Sequence, residues 1–270
     1  MTIQTKIIDG ITFSFVNEQE FETIYHEVFK VQQYKFSATT NTPFILDCGA
    51  YIGVSVLYFK KLYPQAKIVA FEPNPDTFRL LELNIKQNNM SDVQLVNAAL
   101  SDSIGEIDFY VSKNDASPWK IYDTCIKDKW CAPDDWQTIK VPTITLSPYI
   151  NCKVDLLKLD IEAMEGSVLR EAEDKLGLIE EMRMEYHGLQ GNTANNLDDI
   201  MTILESNKFK VAFERERKII SLDKVRQKIE TNKEYAVIVY TNRRRSKLWW
   251  QSWFVPRAVR VQYRLRMLTS

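Results

Sequence analysis

Asp47 and Glu72 stand 25 residues apart, and each closes an apolar run that reads as a strand, Phe44 to Leu46 and Lys67 to Phe71. The first acid lies in Phe44-Ile45-Leu46-Asp47-Cys48-Gly49-Ala50-Tyr51-Ile52-Gly53, where the strand turns on glycines into a helix. This arrangement suits a nucleoside-bearing ligand. The glycines admit close approach of the backbone at a helix N-terminus, and the second acid can accept hydrogen bonds from both ribose hydroxyls. As a nicotinamide site the segment is weaker, because Tyr51 replaces the middle glycine of G-x-G-x-x-G and crowds a pyrophosphate. Asp47 would also place negative charge where a dinucleotide carries its own. A ligand with an ammonium and a sulfonium is the better match, and S-adenosyl-L-methionine carries both.

Three more polar groups fall at or just past the ends of expected strands: Asp102, Asp160 and His187. Ligands of an open parallel sheet occupy the crevice beyond the carboxyl ends of its strands. Any one of the five groups also fits a turn or a helix cap; five in register argue for a site. Transfer of a methyl group to a hydroxyl benefits from a base, worth typically ~10²–10⁴ in rate, and the candidates are His187, Asp160 and Glu162. Histidine has an intrinsic pKa near neutrality, although His187 before Gly188 also fits a surface turn. Glu162 and Glu165 also fit first-turn acids that complement a helix dipole. Lys158, which alternates with Leu157 and Leu159, could pair with an acid or mark an edge. The Asp, Glu and His trio could hold a metal, yet nothing in the spacing requires one, and the working expectation is a metal-free reaction.

The elements that must position these groups read as follows. A hairpin from Lys6 to Phe15 turns at Asp9-Gly10 and leads into a helix from about Glu18 to Gln33, an N-terminal cap over residues 1–40. From Phe44, strand and helix alternate, which favours a parallel sheet with helices on both faces. Asn74 is an expected N-cap with Pro75 at the first helical position, and Phe78, Leu81 and Ile85 form the buried stripe of that helix. Strands are expected at Val93 to Val96, Glu106 to Val111, Ile139 to Leu146, Val154 to Leu159 and Met182 to Tyr186. Helices are expected from Glu165 to Leu176 and from Leu197 to Ser206. Two last strands, Lys208 to Phe213 and Tyr235 to Thr241, lack an evident crossover helix and suggest an antiparallel closing pair. Between residues 112 and 140 periodicity is lost, and Trp119, Trp130 and Trp136 offer aromatic faces for an acceptor or simply anchor the loop. His26, in the first helix, reads as structural.

The ordered motifs resemble the FkbM family of S-adenosylmethionine-dependent methyltransferases. The family pattern I-L-D-x-G-A-x-x-G falls on Ile45 to Gly53, F-E-P-x-P on Phe71 to Pro75, A-L-S-D on Ala99 to Asp102, and T-x-x-L on Thr143 to Leu146. K-x-D-x-E-G-x-E falls on Lys158 to Glu165, with Ala163 where the family has glycine. The match covers roughly residues 44–241. The resemblance implies a Rossmann-like class I methyltransferase, with a mostly parallel seven-stranded sheet, helices on both faces and an antiparallel closing strand. It implies cofactor contacts from Gly49, Ala50 and Gly53 in the loop, from Pro73 and Asn74 beside Glu72, from Ser101 and Asp102 at the adenine, and from Asp160. These add to Asp47 and Glu72, which the residue types indicate on their own. Ala163 would narrow the pocket or shift the acceptor, which is expected to be a hydroxyl of a carbohydrate, glycolipid or small metabolite.

Composition sets the remaining bounds. Of 270 residues, 45% are apolar, enough for a substantial core, and the methyltransferase domain is expected over residues 41–242. Cys48, Cys125, Cys131 and Cys152 form no C-x-x-C pair, so they read as reduced thiols of a cytoplasmic protein. No signal peptide or membrane-spanning run is visible. The net charge of −1 hides a division: residues 243–270 carry eight Lys or Arg and no acid, leaving 27 basic against 36 acidic residues before them. In that segment basic residues alternate with Trp249, Trp250, Trp253 and Phe254, a pattern that fits peripheral contact with an anionic membrane, or docking on the acidic body or a partner; nucleic acid is disfavoured. The alternative functions are a nicotinamide-dependent oxidoreductase and a non-catalytic, membrane-associated binding protein on the same fold.

Overall fold

In the computed structural model, the described residues are 2–113, 123–126, 136–232 and 234–243. Trp119, Trp130, Cys131 and the basic segment after Arg243 lie outside them. The chain opens with a hairpin, β1 (Gln4–Ile8) and β2 (Ile11–Phe15), closed by Asp9 and Gly10, both with positive φ. Helix α1 (Glu18–Tyr25) starts on Asn17, whose side chain accepts the Glu20 amide at 3.1 Å, and continues as a wider π-helical turn, His26–Val31. Phe15 stacks on Phe21 with ring centres 4.4 Å apart, and Phe29 meets Tyr58 of the next helix at 5.4 Å. The hairpin is fastened to the body through Asn84, which accepts the Ser14 amide at 2.7 Å and donates to the Ser14 carbonyl at 2.9 Å.

Alternation then proceeds through β3 (Phe44–Cys48), α2 (Val54–Leu62), β4 (Lys67–Phe71), α3 (Pro75–Gln87) and β5 (Val93–Val96). A side sheet of β6 (Ala99–Leu100), β7 (Gly105–Ser112) and β8 (Trp136–Ile144) follows, with β8 in the middle. The main sheet resumes with β9 (Val154–Leu159), α4 (Glu165–Glu171), β10 (Ile179–Leu189), α5 (Leu197–Ser206), β11 (Lys210–Arg215), β12 (Lys218–Ile220), α6 (Leu222–Thr231) and β13 (Glu234–Asn242). Its order is β12-β11-β13-β10-β9-β3-β4-β5. Strands β5, β4, β3, β9 and β10 run parallel, and β13 is inserted antiparallel between β10 and β11. The central strands β3, β4 and β9 are covered on both faces, which is why they read as apolar runs without alternation: every residue of β9 is buried, and so are all but the first of β3 and of β4. Strand order reverses between β3 and β9, and there the crevice opens.

The α/β class and the antiparallel closing strand are as expected; the details differ in several places, and the helix expected from Glu165 to Leu176 ends at Glu171 and gives way to a 3₁₀ turn over Glu173–Leu178. Among the described residues the main sheet has eight strands, because Lys218–Ile220 adds a short edge to β11. A helix, α6, does separate β11 from β13; Val225 is its one buried residue, too weak a stripe to show in the sequence. Strand β10 runs through His187 to Leu189, so this histidine is held inside a strand and not in a turn. In α3 the buried face is Leu80, Leu81, Asn84 and Ile85, with Phe78 only half-buried.

Candidate active site

The tips of β3, β4, β9 and β10 surround a cavity of about 200 Å³, roofed by Thr23, Ile24, Glu27, Val28 and Tyr34 of the N-terminal cap. On the first wall, Gly49 and Ala50 donate their amides to the Phe71 carbonyl at 3.1 and 2.9 Å, and Gly53 donates to the Ala50 carbonyl at 2.9 Å. Gly49 and Gly53 take φ of +84° and +87°, and Tyr51 between them takes +51°. A Cβ at Gly49 would lie 1.8 Å from the Asp160 carbonyl oxygen, so only glycine lets the loop pass the end of β9. Glu72 is buried at 6% exposure and faces the cavity. It accepts the Tyr51 amide at 3.0 Å and the Asn74 amide at 2.9 Å. Burial raises its pKa to about 7 against the pull of those two amides.

Asp47 stands one layer behind. It is fully buried, outside the cavity lining, and accepts Ser55 Oγ at 2.5 Å. Lys158, opposite it in the β3–β9 register, brings Nζ to 3.3 Å from Asp47 and 3.6 Å from Asp160, and donates to the Gly49 carbonyl at 2.7 Å. Burial alone would lower the Lys158 pKa; the two carboxylates outweigh it and hold the ammonium above its ordinary range. The lysine thus lines the cavity with Asp47 as its counter-ion, while Asp47, expected to touch the ligand, stands outside the lining.

The second wall is made by the tips of β9 and β10. Tyr34 donates its hydroxyl to Asp160 Oδ2 at 3.0 Å. His187, 4% exposed, brings Nδ1 to 3.3 Å from Glu165 and Nε2 to 3.6 Å from Glu162 and 3.9 Å from Glu185. Burial, then repulsion from Asp160, pushes the Glu185 carboxyl up to about 8. Glu165 does more than face a helix dipole: fully buried, it accepts the Ala163 amide at 3.0 Å and Asn195 Nδ2 at 2.8 Å. Glu162 and Ala163 take φ of +56° and +77°. That left-handed turn is why glycine is favoured at the second position and why alanine is strained there.

Among the expected cofactor residues, Gly49, Ala50, Glu72, Pro73 and Asp160 line the cavity. Asn74 is buried as the N-cap of α3 and donates to Asp123 at 2.6 Å, and it is Asp123 that lines the wall. Gly53 packs against Leu81 at the start of α2. Ser101 donates its amide to the Ile144 carbonyl at 2.9 Å, and Asp102 is exposed; Ala98, Ala99 and Leu100 line the cavity in their place. Asp160, Glu162 and His187, the three candidate bases, are brought together. Tyr34 and Asn195 were not singled out by sequence, since neither lies in a motif and each reaches the site through the fold alone.

Residues 47–211 match the model of the methyltransferase FkbM domain. The chain belongs to the FkbM methyltransferase family. It is similar to Methyltransferase 1 of Beauveria bassiana, at 32% identity over 73% of this chain and 84% of that one. Methyltransferase sdnD of Sordaria araneosa is 28% identical over 62% of this chain and 74% of its own. The 31-O-demethyl-FK506 methyltransferase FkbM of Streptomyces tacrolimicus is 26% identical over 78% and 90%. The protein is therefore an S-adenosylmethionine-dependent methyltransferase, and the nicotinamide reading is set aside. The donor set fits that cofactor: Glu72, a buried acid that could accept from ribose hydroxyls, and the ammonium of Lys158 line the same cavity.

Proposed function

We propose that the enzyme transfers a methyl group to a hydroxyl of a carbohydrate, glycolipid or small metabolite. One observation carries this reading: a single cavity has the Glu72 acid on one wall and Asp160, Glu162 and His187 on the other. The name 31-O-demethyl-FK506 methyltransferase places the reaction of that relative on oxygen. S-adenosylmethionine supplies an electrophilic methyl on a sulfonium. The chain's own residues do the rest. Gly49 and Glu72 hold the nucleoside end, Lys158 meets the carboxylate of the amino-acid end, and the roof of Ile24, Val28 and Tyr34 keeps water away. Asp160, Glu162 and His187 collect the acceptor hydroxyl and are placed to receive its proton.

Calorimetric titration with S-adenosylhomocysteine, followed by a methyl-transfer screen over sugar nucleotides and glycolipids, tests this. Saturable binding and a product methylated on oxygen are expected; a product methylated only on nitrogen would overturn it. For the basic segment 243–270, we infer peripheral contact with anionic lipid. Among the described residues no helix is long and apolar enough to cross a membrane. Arg243 donates its amide to the Glu180 carbonyl at 3.1 Å, beside the start of β10. Arg243, the last described residue, therefore lies at the end of the sheet opposite the cavity, about 20 Å away by strand rise. Anionic vesicles should sediment the full chain and not a chain cut after Asn242; equal partitioning would end the idea.

A further inference from the structure

We propose that Asp160, Glu162 and His187 form a binding site for a divalent metal ion of the Mg²⁺ or Mn²⁺ class. One carboxylate oxygen from each acid and one nitrogen of His187 lie within 4.8 Å of one another. Metal–ligand bonds of ~2.1 Å place neighbouring ligands ~3 Å apart and opposite ligands ~4.2 Å apart. The 3.6 Å between His187 Nε2 and Glu162 Oε2 falls in that span. Two oxygens and one imidazole suit a hard ion that keeps the rest of its coordination for water or an acceptor hydroxyl.

The supporting groups around the three ligands carry the inference further. His187 turns Nδ1 toward Glu165, a fully buried carboxylate, and that pairing fixes the tautomer in which Nε2 holds the lone pair. Glu165 is itself held by Ala163 N and by Asn195 Nδ2, and Asn195 Nδ2 also donates to the His187 carbonyl at 2.9 Å. A carboxylate behind a buried histidine is how proteins orient an imidazole ligand. Asp160 is braced on the other side, where Tyr34 and Lys158 both meet Oδ2. Glu185 adds a further carboxylate 3.9 Å from the same Nε2. Several acids converging on one imidazole at the cavity wall repel one another, and a cation among them removes that cost.

What the ion would do rests on the methyl-transfer reading; its binding does not. An acceptor hydroxyl held on the ion loses its proton more readily. The proton leaves to water at the cavity mouth, the oxygen's electron pair forms the new C–O bond, and the pair of the broken S–C bond stays on sulfur. With the ion in place, His187 acts as a ligand, and the proton it would otherwise receive goes to water.

The full chain, stripped with EDTA, would be titrated with Mn²⁺ while the free ion is followed by electron paramagnetic resonance. S-adenosylhomocysteine would be titrated in parallel. A single saturable class of Mn²⁺ site is expected, weakened roughly tenfold or more by Glu162→Gln and by Asp160→Asn, with Glu162→Gln leaving S-adenosylhomocysteine binding intact as the check on folding. Wild-type protein that binds S-adenosylhomocysteine but not Mn²⁺, or variants that bind Mn²⁺ as wild type does, would overturn the site. Absence of S-adenosylhomocysteine binding alongside normal Mn²⁺ binding would instead overturn the cofactor pocket. Should an amine acceptor protect the wild type from thermal unfolding while Mn²⁺ does not bind, the acidic wall serves an ammonium, and the metal proposal fails.

Discussion

The two walls of the cavity are built by opposite means. The wall at the tips of β3 and β4 is mostly backbone: its left-handed positions fall on Gly49, Tyr51 and Gly53, and Glu72, the buried acid that faces the cavity, is answered by two amides. The acceptor wall, at the tips of β9 and β10, is mostly side chain. Its left-handed turn falls on Glu162 and Ala163, and Asp160, Glu162 and Glu185 crowd a buried histidine. Glycine takes a left-handed conformation at no steric cost, whereas other residues spend folding energy there. The first wall thus sets a single such residue, Tyr51, between two glycines, whereas the second has two in succession, Glu162 and Ala163, beside crowded carboxylates whose repulsion a ligand can relieve.

The largest expected effect breaks the contact between the walls. Gly49→Ala would set a Cβ 1.8 Å from the Asp160 carbonyl, backbone against backbone, in a loop already at φ +84°. A loss of stability above ~4 kcal/mol is expected, since neither strand tip can move without its neighbours. Gly53→Ala is the contrast, because its Cβ meets the tip of a flexible side chain, Leu81 Cδ1, at 2.6 Å. Here about 1–3 kcal/mol is expected. Urea unfolding of both variants decides the matter; equal losses would mean that the backbone wall is not rigid at Asp160.

Glu72 gives the next effect, on binding more than on folding. Burial raises its pKa to about 7, so the folded state keeps a proton that the unfolded chain gives up near 4.5. Its contribution to stability is therefore present at acid pH and lost as pH rises from 4.5 toward 7. Ribose hydroxyls donate to the ionised form, so S-adenosylhomocysteine should bind more tightly as pH rises toward 7, with release of a proton, and level off above that. Glu72→Gln should weaken binding roughly 100-fold, the loss of charge from two hydrogen bonds that a neutral amide replaces only in part, and flatten the pH profile. Calorimetry in buffers of different ionisation heat reads both.

On the acceptor wall, Asn195→Ala should cost about 2 kcal/mol of stability by removing a donor from the buried Glu165 carboxylate. It should leave affinity for S-adenosylhomocysteine unchanged, because Asn195 touches only the second wall. A thermal melt with and without that ligand checks the separation, and a parallel loss of affinity would merge the two walls into one unit.

This division also explains what could be read from the chain. Gly49, Gly53 and Glu72 were legible because glycine takes a left-handed turn under a strand tip without strain, and an acid at the next tip is placed to accept from ribose hydroxyls. The apolar runs of β3, β4 and β9 were legible because both faces are buried. Helix α6 was not, since it buries Val225 alone. Lys158 was ambiguous until the β3–β9 register set it opposite Asp47. Asn195 and Tyr34 reach the site only through folding: one lies 30 residues beyond Glu165 on a single turn, the other in the cap, 126 residues before Asp160.

The smallest expected effect measures the strain itself. Ala163 is buried, so Ala163→Gly removes a methyl worth ~0.8 kcal/mol and adds ~0.5–1 kcal/mol of unfolded-chain entropy. Against this, glycine at φ +77° escapes the left-handed penalty of about 1–2 kcal/mol. The sum lies near zero. Ala70→Gly, at a buried position inside β4, suffers the same two losses with no relief, and should cost about 1.5 kcal/mol. The difference between these variants in urea unfolding is the strain held at the acceptor turn. Equal costs would show that Ala163 sits there without penalty, and the contrast between the two walls would rest on electrostatics alone.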